Sequence, residues 1–154
     1  MLSNALTSSG GETQPVAKQP FDGATILMID DEKLNSYVVA EYLKADGYRD
    51  LIHTTDPMNA LSLAARVRPD VILLDIEMPR LNGLELLRRV RADHSLAETH
   101  VIVLSATDDE EIRSQAFELN AAAFLQKPIR KEELLTLLRK ILVQGSATRV
   151  IAAT

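Results

Sequence analysis

The chain has 154 residues, of which 46% are hydrophobic and 25% are charged, which is the composition of one ordinary globular domain. Its formal net charge of -5 gives no support to direct binding of nucleic acid or anionic lipid. Because the chain contains no cysteine, disulfides, thiolate metal sites and a cysteine nucleophile are excluded.

The two ends of the chain lack the apolar pattern of a packed element. Residues 1–22 are rich in Ser, Thr, Gly, Gln and Pro without periodic apolar residues, which predicts a disordered leader. They lack the basic start and apolar core of a secretion signal, and no run approaches the length of a membrane span. We therefore expect a cytoplasmic protein without a membrane partner. Gly145 is predicted to end the last helix, leaving residues 145–154 as a flexible tail or linker.

Between these ends, over residues 23–144, short apolar runs alternate with stretches of helical periodicity. Strands β1 to β5 are predicted at residues 24–29, 51–54, 71–75, 101–104 and 123–126. Helices α1 to α5 are predicted from apolar spacing at residues 34–43, 57–67, 84–90, 112–119 and 134–141. This alternation predicts an α/β domain of the (βα)5 type, with a doubly wound, parallel, five-stranded sheet and right-handed crossovers.

Several polar positions have structural explanations. Gly47 is expected to end α1, since a residue without Cβ adopts the left-handed conformation easily. The acidic run at residues 108–111 is interpreted as the first turn of α4, where acids interact favourably with the helix dipole, and not as a metal site. Arg88, Arg89 and Arg91 are predicted to form a solvated face of α3.

Four of the five predicted strands end in residues whose side chains can bind ligands or take part in a reaction. Asp30 and Asp31 follow β1, Asp75 ends β3, Ser105 follows β4 and Lys127 follows β5. Each has an ordinary explanation taken alone, such as a turn or a helix cap. However, the carboxyl ends of parallel strands meet at one edge of the sheet, where ligands bind in such folds. We therefore expect these side chains to form one site.

The composition of this site favours magnesium and phosphoryl chemistry. Three carboxylates repel one another, and a hard divalent ion such as Mg²⁺, which prefers oxygen ligands, would offset that repulsion. Zinc is disfavoured because there is no cysteine and because the three histidines, His53, His94 and His100, are scattered. A cation, an ammonium and a hydroxyl around one carboxylate suit the uptake of a phosphoryl group, with Asp75 as the nucleophile.

Four short motifs occur in a recognisable order. They are Ile29-Asp30-Asp31-Glu32, Asp75-Ile-Glu-Met-Pro79 with Gly83 beyond it, Ser105-Ala106, and Phe124-Leu-Gln-Lys127-Pro128. Together they resemble the receiver domain of two-component response regulators, over roughly residues 23–143. The resemblance implies a flavodoxin-like fold with strand order 2-1-3-4-5. Two positions depart from the family pattern. Asn120 replaces a common glycine, which a left-handed asparagine tolerates, and Ala123 replaces a frequent acid or amide.

The resemblance implies a phosphoacceptor and a metal site. Asp75 would accept a phosphoryl group from a histidine kinase or a histidine phosphotransfer protein. Asp31, Asp75 and the backbone carbonyl of Glu77 would ligate Mg²⁺, for which Mn²⁺ can substitute, while Asp30 would act mainly through metal-bound water. Glu77 and Thr107 would tune the lifetime of the phosphoryl group. The domain would not be an enzyme in the ordinary sense, since it would catalyse only its own phosphorylation and dephosphorylation.

The resemblance also implies a switch. Lys127 would pair with the phosphoryl group, Ser105 would donate a hydrogen bond to it, and Phe124 would turn inward when Ser105 moves. The α4–β5–α5 face would then change and control an effector or output domain that the sequence does not identify. That face would also be available for a homodimer, and no direct contact with nucleic acid is expected.

Four alternatives to parts of this interpretation remain. Phe124 is alternatively an ordinary core residue. A phosphatase of the haloacid dehalogenase type would need a second aspartate two residues after the nucleophile, where this chain has Glu77. A flavin-binding module would need a neutral, hydroxyl-rich loop in place of Asp30-Asp31-Glu32. A degenerate receiver that serves only as a docking surface would not need so complete a site.

Overall fold

The structure is a computed structural model that describes residues 23–153, with side chains as far as residue 144, so the predicted leader lies outside the described residues. The strands are Thr25–Ile29 (β1), Asp50–Thr54 (β2), Val71–Asp75 (β3), His100–Ser105 (β4) and Ala123–Gln126 (β5). The helices are Lys33–Ala45 (α1), Pro57–Val67 (α2), Gly83–Ala92 (α3), Glu110–Glu118 (α4) and Lys131–Ala153 (α5). One further turn of 3-10 helix, His94–Leu96, was not predicted.

The five strands form one parallel sheet in the order β2-β1-β3-β4-β5, which confirms the predicted fold class and strand order. All five residues of β3 are buried, as its run of four aliphatic residues predicted for a central strand. In the sheet register Asp75 lies beside Leu104, and Ser105 lies beside Gln126. The ends of β3, β4 and β5 therefore meet at one edge.

The core has two parts, one on each face of the sheet. On one face, Ile72 of β3 packs in a cluster that includes Leu87 of α3. On the other, Leu73 packs in a cluster with Leu43 of α1 and Leu138 of α5. Each fully buried leucine contributes roughly 1.5–3 kcal/mol through removal of its apolar surface from water. Helices on both faces thus hold β3 rigidly and fix the position of its carboxyl end.

Three helix ends agree with the sequence analysis. Gly47 has a φ of 99° and Asn120 a φ of 60°, so both occupy the left-handed region where glycine and asparagine are favoured. At the start of α4, the side chain of Asp109 accepts a hydrogen bond from the backbone N–H of Glu111, as the helix-start interpretation of the acidic run predicted.

The predicted end of the last helix at Gly145 was wrong, because α5 continues to Ala153. A glycine inside a helix costs only about 1 kcal/mol relative to alanine, which neighbouring helix-forming residues can offset. No proline follows Gly145 to force a stop, and alanines recur at positions 147, 152 and 153.

Within the described residues, no helix combines the length and apolar character needed to cross a membrane.

The prediction of a solvated arginine face on α3 was right for two residues and wrong for the third. Arg88 and Arg89 are exposed and pair with Glu85 one turn earlier. Arg91 is half-buried and donates to three backbone carbonyls instead. They belong to Thr99 at 2.8 Å, Asn120 at 3.0 Å and Leu119 at 3.2 Å. Arg91 therefore ties the end of α4 to the segment before β4, a contact that helical spacing does not reveal.

Arg91→Met should lower the free energy of unfolding by about 1.5–3 kcal/mol, because three backbone carbonyls lose the charged group that donates hydrogen bonds to them. Urea denaturation measures this difference. The matched variant Arg88→Met removes only an exposed ion pair with Glu85 and should change stability little. Equal destabilisation by the two variants would contradict the assigned role of Arg91.

Candidate functional site

Three carboxylates converge at the carboxyl edge of the sheet. One oxygen each of Asp30, Asp31 and Asp75 lies within 4.8 Å of the others. Asp30 and Asp75 are 5% and 2% exposed, whereas Asp31 is half-buried. The arrangement follows from the parallel pairing of β1 with β3, which brings the ends of both strands together. The cluster is thus closed by protein on one side and can be approached past Asp31 on the other.

Lys127 supplies the positive charge in this cluster. Its Nζ atom lies 3.1 Å from Oδ1 of Asp75 and 3.4 Å from Oδ2 of Asp30. Burial alone would lower the pKa of Lys127, but the nearby charges of Asp30 and Asp75 outweigh it and raise the pKa above its ordinary value. The lysine therefore remains an ammonium. When all three carboxylates are ionised, the one ammonium leaves an excess of two negative charges.

The ionisation of Asp75 reflects this excess. Burial, followed by the charge of Asp30, raises the pKa of Asp75 from its ordinary value of 3.8 to about 7, although Lys127 and the Glu77 N–H act in the opposite direction. The Glu77 N–H donates to Oδ1 of Asp75 at 3.0 Å. Deprotonation of Asp75 therefore requires more free energy than that of an exposed aspartate. A cation placed among the carboxylates would reduce this free energy.

The residues present fit Mg²⁺. The side-chain donors are all carboxylate oxygens, and their spacing allows one ion to be shared. When all three are ionised, the uncompensated charge equals that of a divalent cation. The exposed side of Asp31 leaves room for the water ligands that Mg²⁺ retains. Among the described residues, Asp30, Asp31 and Asp75 form the one group of three potential ligands that meets this distance criterion.

Ser105 lies at the same edge, and it contacts the side chain of Glu77, a hydrogen bond that the sequence did not predict. Its Oγ donates to Oε1 of Glu77 at 2.5 Å, and the backbone N–H of Thr107 donates to that Oγ at 3.1 Å. The N–H of Ala106 also points at the Glu77 carboxylate, at 3.2 Å and 3.1 Å from its two oxygens. Burial opposes ionisation of Glu77, but these hydrogen bonds outweigh it and lower its pKa. Glu77 therefore binds the donors at the end of β4 as an anion.

Gly83 explains part of the motif that follows Asp75. A Cβ atom at this position would lie 2.6 Å from the carbonyl oxygen of Asp75 and 2.6 Å from the Cα of Ile76. The Gly83 N–H donates to the carbonyl of Ile76 at 3.1 Å. Only glycine permits this approach, so the start of α3 rests directly on the peptide that follows Asp75.

Phe124 lies inside the domain, where it is 8% exposed and belongs to a core cluster. The guanidinium of Arg113 lies 5.5 Å from the centre of its ring and 6.0 Å from the ring of Phe117. Both the switch interpretation and the core interpretation of Phe124 fit this position.

The metal-free protein should become less stable as the pH rises from about 4 to about 7, because over this range the folded state holds the proton of Asp75 more tightly than the unfolded chain does. The loss should be complete above about pH 7. Asp75→Asn should therefore stabilise the metal-free protein at about pH 8 and have much less effect at about pH 4, which urea unfolding in EDTA measures. The variant Asp108→Asn, which removes an exposed carboxylate, is the control. A stability difference independent of pH would refute this assignment.

Comparison with known proteins agrees with this geometry. The sequence model of the response regulator receiver domain matches residues 26–139. RpaA of a Synechocystis species, named as a DNA-binding transcriptional regulator, is 33% identical over 76% of this chain and 48% of its own length. PhoB of Pseudomonas aeruginosa, a phosphate regulon regulator, is 32% identical over 78% of this chain and 52% of its own length. This chain thus spans about half the length of these relatives.

A solved structure of a related protein is also similar to this chain. The chemotaxis protein CheY4 of Vibrio cholerae superposes with a TM-score of 0.71 at 29% identity, over 77% of this chain and 98% of the chemotaxis protein. The resemblance that the four motifs indicated is thereby confirmed. The chain belongs to the receiver domain family of two-component response regulators.

Proposed function

We propose that this domain is the phosphoacceptor switch of a phosphorelay and that Asp75 takes its phosphoryl group from a histidine kinase or histidine phosphotransfer protein. The observation that carries the proposal is the position of the Lys127 ammonium, 3.1 Å from a buried carboxylate at the edge of the sheet. An ammonium there can transfer its contact from Asp75 to the oxygens of an incoming phosphoryl group.

In the proposed reaction an Oδ atom of Asp75 attacks phosphorus. The bond between phosphorus and the imidazole nitrogen of the donor breaks, and its electron pair returns to that nitrogen. Lys127 compensates charge on the phosphoryl oxygens, and Ser105 donates its hydroxyl proton in a hydrogen bond to one of them. Bound Mg²⁺ would supply further charge compensation, held directly by Asp31, Asp75 and the backbone carbonyl of Glu77 and through water by Asp30. Mn²⁺ would serve the same purpose.

The reaction ends when water attacks the phosphorus and Asp75 leaves as a free carboxylate, with the proton of water passing to inorganic phosphate. The domain therefore catalyses only its own phosphorylation and dephosphorylation, and it has no separate substrate. Glu77 and Thr107 flank the site and would tune the lifetime of the phosphoryl group.

The surface beside the site supports docking of a donor protein. Leu34, Tyr37 and Val38 on α1 are 72%, 63% and 40% exposed, although all are large apolar residues. An open cleft of about 150 Å³ runs from Val38 past Asp30 to Lys127. We assign the domain to the cytoplasm, where the phosphodonor protein would dock on this surface.

We assign the output of the switch to the α4–β5–α5 face. Ser105 at the end of β4 and Phe124 in the adjacent β5 would couple the phosphoryl group to that face. The chain's net charge of -5 argues against direct contact with nucleic acid, so an effector in another domain or protein would read the switch. The same face would serve for a homodimer.

Incubation with acetyl phosphate and Mg²⁺ should add one phosphoryl group to the protein, and Asp75→Asn should not acquire it at that position. Intact-protein mass spectrometry measures the addition, which EDTA should prevent. Asp31→Ala should reduce it strongly, whereas Glu41→Gln, which removes an exposed charge paired with Lys44, should not. Undiminished labelling of Asp75→Asn would place the acceptor elsewhere.

Beryllofluoride, which mimics an aspartyl phosphate, should shift the amide NMR signals of α4 and β5 more than those of α2, because the first two lie beside Ser105 and Phe124. Ser105→Ala should weaken this effect, and Ser62→Ala on the exposed side of α2 should not. Equal shifts on both faces, or none beyond the loops of the site, would leave Phe124 as a core residue only.

A further inference from the structure

The Ser105 hydroxyl, which the proposed function assigns to the phosphoryl group, already has an acceptor in the described conformation, and so does the neighbouring N–H of Ala106. The hydroxyl of Ser105 and the backbone N–H of Ala106 both donate to the carboxylate of Glu77, at 2.5 Å and at 3.1 to 3.2 Å. We propose that the Glu77 side chain is an internal occupant of the phosphoryl-binding position, which an incoming phosphoryl group must displace. This inference rests on the proposed function.

The chemistry of the two anions supports this competition. A carboxylate and a phosphoryl group both present negatively charged oxygens that accept from hydroxyl and backbone N–H donors. Ser105 has one hydroxyl proton, so it cannot donate to both acceptors at once. A phosphoryl group on Asp75 would also place further negative charge next to the Glu77 carboxylate. Repulsion and the loss of these donors would therefore move the Glu77 side chain away.

The occupant has a second consequence for the conformation of the β4–α4 loop. By accepting from Ser105, Glu77 holds the hydroxyl toward the site, and the Thr107 N–H donates to the same hydroxyl at 3.1 Å. The ring of Phe124 is buried in this arrangement. Glu77 therefore holds the Ser105 hydroxyl and the backbone N–H of Ala106 in place in the unphosphorylated protein. Glu77 is a positioning residue whose hydrogen bonds must break when a phosphoryl group binds, which lowers the net free energy gained from that binding.

Glu77→Ala should bind beryllofluoride, in the presence of Mg²⁺, at least about tenfold more tightly than the original protein, since no hydrogen-bonded anion has to be displaced. Titration followed by NMR measures the affinity. The substitution leaves the backbone carbonyl of Glu77 in place. The control is Glu98→Ala, which removes one exposed charge at the opposite edge of the sheet and should not change the affinity.

The amide signals of residues 105–107 give a second readout that a change of net charge alone would not move. In Glu77→Ala they should shift before any ligand is added, and beryllofluoride should return them toward their positions in the original protein. Equal affinity in the two proteins, with these signals unmoved by the substitution, would overturn the role of Glu77 and leave Asp75 as the acceptor. Binding to neither protein would overturn the assignment of Asp75 itself and, with it, this inference.

Discussion

The ion pairs of Lys127 with Asp75 and Asp30 are the interaction on which the proposed function of this domain depends. Carboxylates on adjacent strands, both almost fully buried, repel one another, and the ammonium compensates only part of their charge. In the proposed function the remaining charge would attract a divalent cation, and the same ammonium would contact the phosphoryl group. The rest of the fold keeps these groups in place. Parallel register brings the strand ends together, and Gly83 allows α3 to rest on the peptide after Asp75.

The fold was predictable because local patterns and global topology agree. Short aliphatic runs between stretches of helical spacing allow few arrangements other than a parallel sheet covered on both faces. Left-handed residues at Gly47 and Asn120 were also predictable, since few residue types tolerate that conformation. The end of α5 was not, because a single glycine is a weak stop signal whose effect depends on its neighbours. The burial of Arg91 could not be predicted for a different reason. Its hydrogen-bond partners are far away in the sequence, and helical spacing gives no information on such contacts.

The convergence of the site residues followed from topology, whereas their exact contacts did not. The ends of parallel strands must meet, so the meeting of Asp30, Asp31, Asp75, Ser105 and Lys127 could be expected before the structure was known. Glu77 was expected to offer its backbone carbonyl and to tune the lifetime of the phosphoryl group, but the partner of its side chain was not predicted. Its bond to Ser105 spans 28 residues and depends on a rotamer that sequence does not specify. The position of Glu77 two residues after Asp75 was the one available signal, and it indicated proximity to the site without indicating a partner.

A crystal structure of the protein with Mg²⁺ and beryllofluoride would test the central claim most directly. The beryllium should lie against an Oδ atom of Asp75, with fluorines at hydrogen-bonding distance, about 2.7–3.2 Å, from the Lys127 Nζ atom and the Ser105 Oγ atom. The Lys127 ammonium should have left Asp75 for the bound group. Density on another side chain, or a Lys127 still paired with both carboxylates beside an empty Asp75 at saturating ligand, would contradict the claim that these residues form a phosphoryl-accepting site.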